Sequence, residues 1–116
     1  MDFGLNVRSV IVIIASVFIV SCSVTLPVRG QLEKGSEIFT GLATGYLDGS
    51  GNLHIVSDKG SDCLGNFVYI THRKGEGVFT CTDGRSGPFS FVSTGQRGTG
   101  TGRIGDEKFT FTFGDF

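Results

Sequence analysis

Tryptophan is absent from this chain, histidine and proline occur twice each, cysteine three times, and neither sign of charge is in excess. Each shortage narrows the range of functions. Ten Lys and Arg against eleven Asp and Glu leave a formal net charge of −1. The basic footprint that neutralises a phosphate backbone is missing, and no nucleic-acid partner is expected. His54 and His72 have no ligand at metal-binding spacing, although Asp58 and Asp62 lie near His54 in sequence, so no metal site is expected. No G-x-S-x-G elbow accompanies either histidine, and the adjacent Asp106 and Glu107 would point apart in a strand or splay in a turn. Neither a nucleophile with its base nor a working carboxylate pair is in view, so the chain is expected to be non-catalytic and to need no cofactor. Nineteen glycines, eleven phenylalanines and no tryptophan point away from a helical bundle.

A long hydrophobic run is also lacking. The longest, Val10 to Val20, has eleven residues, too few to cross ~30 Å of hydrocarbon comfortably as a permanent helix. It follows a short head carrying Arg8, and no further charge appears before Arg29. That is the layout of a secretory signal, assigned to residues 1–21. The run closes on Ile19-Val20-Ser21-Cys22. This tetrad resembles the lipobox of bacterial lipoproteins, in which the cysteine thiol receives a diacylglycerol group and cleavage makes that cysteine the mature N-terminus. The resemblance covers the leader and implies a lipidated Cys22, with fatty chains such as palmitate holding the protein to a membrane. Ser23 in the following position is similar to the outer-membrane sorting pattern of Gram-negative lipoproteins. It implies an outer-membrane address with the domain facing the periplasm.

Assigning Cys22 to lipid leaves Cys63 and Cys81, an even pair in an exported chain. A disulfide between them would stabilise a small domain by ~3 kcal/mol in the chain-entropy model. Register raises an objection. If Gly75-Glu76-Gly77 is a hairpin turn, Cys81 faces Ile70, and the bond requires Ser57 to Asn66 to fold back as a loop.

Residues 22–36 show neither helical nor strand period and contain Pro27 and Gly30. They read as a flexible tether whose extended reach of ~45–50 Å would hold a domain clear of the headgroups. From residue 37 to 116 apolar residues recur with period two between glycine-rich turns, the signature of an antiparallel meander. Strands are expected over Ile38 to Leu47, Asn52 to Ser57, Asn66 to Arg73, Gly77 to Thr82, Phe89 to Ser93, Gly98 to Ile104 and Lys108 to Phe113. The fold class is therefore all-β, about seven strands in a strongly curved sheet or a small up-and-down barrel.

Phe109, Phe111 and Phe113 share one strand face, as do Phe89 with Phe91 and Phe67 with Tyr69, and these stripes are expected to pack a core. Gly98, Gly100 and Gly102 leave one face of their strand bare, so rings such as those of Phe89 or Phe109 could lie over it. Gly41, Ala43 and Gly45 repeat the device on the first strand. Gly100-Thr-Gly-Arg-Ile-Gly105 has the letters of a dinucleotide fingerprint without its following helix or distant acid. Asp48-Gly-Ser50-Gly-Asn52 starts like a calcium loop, but its sixth position is Leu53 and no bidentate glutamate follows, so a plain turn is expected.

Residues 75–114 resemble domains of small bacterial exported proteins with undefined roles. The expected function is an outer-membrane lipoprotein that binds or scaffolds another envelope component, its partners being the membrane and an envelope protein. An inhibitor of an enzyme such as lysozyme is a second reading. It rests on architecture alone, because the tyrosine-cysteine motif and tryptophan of the lipid-anchored barrel inhibitors are missing. A carrier of a small apolar ligand is a third, and it requires a cavity of ~300 Å³ or more. Asp83, Arg85 and Arg97, on exposed connections, are the candidate contact residues.

Overall fold

Alternation of inward apolar and outward polar residues produces eight strands in a computed structural model that describes residues 23–35 and 37–114. The strands are β1 Ser23–Leu32, β2 Ile38–Tyr46, β3 Ser50–Ser57, β4 Asp62–Tyr69, β5 Lys74–Cys81, β6 Ser86–Thr94, β7 Arg97–Ile104 and β8 Glu107–Phe113. Each pairs antiparallel with the next, and β1 pairs with β8 from Val28 opposite Phe113 to Leu32 opposite Phe109, closing a barrel. Closure gives every strand two neighbours and leaves only the start of β1, Ser23–Leu26, beyond the β8 ladder. The signal segment and Cys22 lie outside the described residues.

An eight-stranded barrel has an interior just wide enough for side chains to fill. Here phenylalanine fills it. Phe39, Phe79, Phe109, Leu32, Ile55 and Ile104 are almost wholly buried, and the rings meet edge to face or stacked, as in Phe39–Phe109 at 5.3 Å and Phe79–Phe89 at 4.3 Å. On β7 and β8 the outer wall is polar, with Thr99, Thr101, Arg103, Lys108, Thr110 and Thr112 exposed, whereas on β2–β5 it also carries the exposed Ile38, Leu42, Val56, Leu64, Val68 and Val78. The phenylalanine-filled interior contrasts with the polar interior of a membrane-spanning barrel.

So many rings fit because glycine lies under them. A Cβ on Gly100 would collide with the ring of Phe111, on Gly98 with Phe113, and on Gly102 with Phe89. The rings over the β7 glycines are those of Phe111 and Phe113 rather than of Phe89, whose ring lies over Gly77 and Gly65. Phe109 instead lies against Gly30 of β1. At the turns Gly49 and Gly84 hold φ of 86° and 93°, conformations that cost other residues steric strain.

The tether expected over residues 22–36 is corrected by β1. Val24, Leu26, Val28, Gly30 and Leu32 lie on one face of β1, and Val28, Gly30 and Leu32 are buried. Pro27 is tolerated at the limit of the β1–β8 ladder. Its carbonyl accepts from the Gly114 N–H at 2.9 Å, so its missing donor points to the same side, one residue beyond the last pair. A turn around 75–77 is likewise replaced by a loop at 70–73, where Thr71 Oγ1 accepts from the Lys74 N–H at 3.0 Å. Gly75 and Gly77 are strand residues beneath Phe91 and Phe89. β4 accordingly starts at Asp62, so the stretch from Ser57 to Asn66 is not a long loop but a hairpin.

That register removes the objection to the disulfide. Cys63 and Cys81 are direct cross-strand partners on β4 and β5, both buried inside the barrel and bonded to each other across 18 positions of sequence.

Candidate functional site: an apolar cavity at the barrel mouth

Meander topology sorts the connections onto two ends. One end carries the turns β1–β2, β3–β4, β5–β6 and β7–β8. The other carries the loops at 47–49, 70–73 and 95–96, together with Ser23 and Gly114. We term the second end the mouth.

The two ends are closed differently. Opposite the mouth, Arg85 spans the barrel opening and donates to Glu37 through both terminal guanidinium nitrogens at 2.9 Å, to Asp83 Oδ2 through Nε at 2.8 Å and to Ser61 Oγ at 2.9 Å. A two-point Arg–carboxylate contact of this kind fixes geometry as well as charge. The Arg85 hydrogen bonds hold the Glu37 carboxyl below the usual carboxylate range, against the opposing effect of burial. Glu37 in turn raises the Arg85 guanidinium above its ordinary value.

At the mouth no such plug exists among the described residues. A cavity of about 390 Å³ opens there. Its walls come from Leu26 on β1, Ala43 and Gly45 on β2, Leu53 on β3, Phe67 on β4 and Phe91 on β6. The cavity exists because β2 has small residues where other strands carry rings. A Cβ on Gly45 would have no atom within 4 Å, in contrast to the covered glycines of β5 and β7. Phe67 and Phe91 form an edge-to-face wall at 5.0 Å, and the Tyr69 ring meets Phe91 at 5.3 Å. The Tyr69 hydroxyl donates to Ser93 Oγ at 3.4 Å, fixing that ring at the lip beside Gln96.

Among the described residues, no charged side chain lines this cavity. The arrangement suits an uncharged, largely apolar molecule whose polar end remains at the lip near Gln96 and the tyrosines. The lining residues offer no nucleophile–base pair and no ligand set for a metal.

The residues singled out in the sequence fall on both ends. Asp83 and Arg85 belong to the polar network at the closed end, whereas Arg97 starts β7 at the mouth and is exposed. Asp48 is occupied by its own turn, accepting from Ser50 N at 3.0 Å and Ser50 Oγ at 2.6 Å. His54 Nε2 lies 2.7 Å from Asp62 Oδ1 on the outer wall. The letters of the dinucleotide fingerprint are strand β7 and its turn. The cavity residues were missed by sequence reasoning as a binding set. The signal was the Gly41-Ala43-Gly45 face, which marks missing volume as well as curvature.

No protein-family model and no curated protein matches the chain. Among solved structures it is similar to a redesigned β-barrel, mFAP1, bound to DFHBI, with 14% identity, a TM-score of 0.64 and coverage of 78% of this chain and 92% of that one. It is also similar to a de novo designed fluorescence-activating β-barrel, with 12% identity, a TM-score of 0.61 and coverage of 79% and 91% respectively. At such identities the likeness is one of fold.

Proposed function

We propose that this protein is a non-catalytic binding protein for a small apolar molecule, attached to the outer membrane through a lipidated Cys22 and facing the periplasm. The observation that carries the binding reading is the 390 Å³ apolar cavity at the mouth. It exceeds the ~300 Å³ lower bound of small-molecule sites. A β-barrel of similar fold has been solved with DFHBI bound, so the architecture is compatible with an internal ligand. This reading is preferred to an envelope scaffold or an enzyme inhibitor because it alone has a specific structural feature to support it. Membrane attachment is supported by the lipobox-like Ile19-Val20-Ser21-Cys22.

Two experiments test the two halves separately. The oxidised barrel from Ser23 onward contains all eight strands and the disulfide. Titrated with an environment-sensitive apolar fluorophore, it is expected to saturate near one probe per chain. Gly45→Leu fills open space and should weaken binding at least about tenfold, as expected when an apolar site loses its volume, with the melting temperature unchanged. Binding that is absent, or indifferent to Gly45→Leu, removes the carrier reading. For attachment, labelled palmitate should enter the wild-type chain and not Cys22→Ala; equal membrane retention of an unlabelled wild type would refute the lipid anchor.

A further inference from the structure

The chain enters the barrel at the mouth. Ser23, the first residue of β1, itself lines the cavity, and Cys22 precedes it directly. A lipid on Cys22 or a retained apolar segment from Val10 to Val20 would each bring a membrane to this same end. Since β1 begins at once, little slack separates the barrel from that membrane.

The mouth also carries the surface that a membrane requires. Leu47 and Ile70 stand at its loop tips with 84% and 56% of their surface exposed, flanked by the half-exposed rings of Tyr46 and Tyr69. The turns of the opposite end hold no exposed large hydrophobic among the described residues, and the strand ends beside them add Ile38 and Val56, each less than half exposed. Charge follows the same division. Among the described residues, Arg73, Lys74 and Arg97 face Asp48 alone at the mouth, with Glu76 two residues further down the wall; the opposite turns hold Glu33, Glu37, Asp58, Asp83 and Asp106 against Lys34, Lys59 and Arg85. Apolar tips and tyrosines bordered by basic residues are the composition of an interfacial contact with anionic lipid.

We propose that the mouth rim docks into an anionic lipid bilayer, so that the cavity opens toward the membrane and takes an apolar molecule dissolved in it. The route of the ligand rests on the binding reading above; the docking does not.

Because the chain has no tryptophan, a single introduced indole reports its own depth. Full-length Leu47→Trp, Ile70→Trp and Lys34→Trp chains are reconstituted in phosphatidylcholine–phosphatidylglycerol vesicles with brominated acyl chains. The first two should be blue-shifted and quenched severalfold, while Lys34→Trp, at the far end, should remain unquenched. Reversing Arg73 and Lys74 to Glu in the Leu47→Trp chain should reduce quenching more on these vesicles than on neutral ones. Equal emission at rim and far end overturns the docking, and rim quenching insensitive to charge reversal overturns the anionic-lipid assignment. Fluorophore binding by the barrel in water is read independently, so failure of docking is distinguishable from failure of the carrier reading.

Discussion

Glycine at position 100 and glycine at position 45 do opposite things in the same barrel. Gly100 supplies the space that the Phe111 ring occupies, and a methyl there would collide with the ring. Gly100→Ala is therefore expected to destabilise by about 1–3 kcal/mol, the range for overpacking a filled core, measured by chemical denaturation. Gly45 faces open space, and Gly45→Ala should change stability by well under 1 kcal/mol. A comparable loss at both positions would refute the distinction between packed and vacant interior. Glu37 supports a prediction in pH. Its folded carboxyl titrates below the ordinary value of 4.5 because Arg85 donates to it. The unfolded state binds the proton more readily, so this contribution is complete above about pH 4.5 and is lost as pH falls through the lower folded value. Glu37→Gln should cost about 1–3 kcal/mol at pH 7 and flatten the acid limb of the stability profile; an unaltered acid limb would remove Glu37 from the account.

Among the elements, β1 shows how local signals mislead. Pro27 and Gly30 read as breakers, yet Pro27 lies one residue beyond the last β1–β8 pair, where its missing N–H interrupts no ladder bond, and Gly30 is required by the ring of Phe109. The alternation Val24, Leu26, Val28, Leu32 was present in the sequence, but a strand closing a barrel onto β8 is a non-local event that no short window can reveal. Strands β4 and β5 carry a related lesson. Gly75 and Gly77 have the composition of a turn, and only the rings of Phe91 and Phe89 above them explain strand glycines there. With the register corrected, Cys63 and Cys81 face each other directly. Replacing both with alanine is expected to lower stability by about 3 kcal/mol, in line with the 18-residue separation and the chain-entropy model, as measured by urea denaturation. A change below 1 kcal/mol would mean that the packed rings alone constrain this hairpin.

At the scale of the molecule, every strand has two hydrogen-bonded neighbours, so losing any one opens the barrel. Unfolding should accordingly be a single cooperative transition. The chain's two tyrosines, Tyr46 and Tyr69, both lie at the mouth and report on it alone. Tyrosine fluorescence and far-ultraviolet circular dichroism should give coincident denaturation midpoints. An earlier tyrosine transition would show that the mouth opens ahead of the rest.

What the residues determined by themselves is the all-β class, the meander, most turn positions and the phenylalanine faces, because alternation and turn chemistry act over neighbouring positions. The lipobox-like Cys22 belongs to the same local level. Closure through β1, the register that sets Cys63 directly opposite Cys81, the Arg85–Glu37 bridge and the cavity beside Gly45 were decided only in three dimensions. Each depends on which residues distant in sequence become neighbours across the barrel. The cavity depends on something subtler still, a ring that no strand supplies, and missing volume becomes visible only when everything around it has been placed.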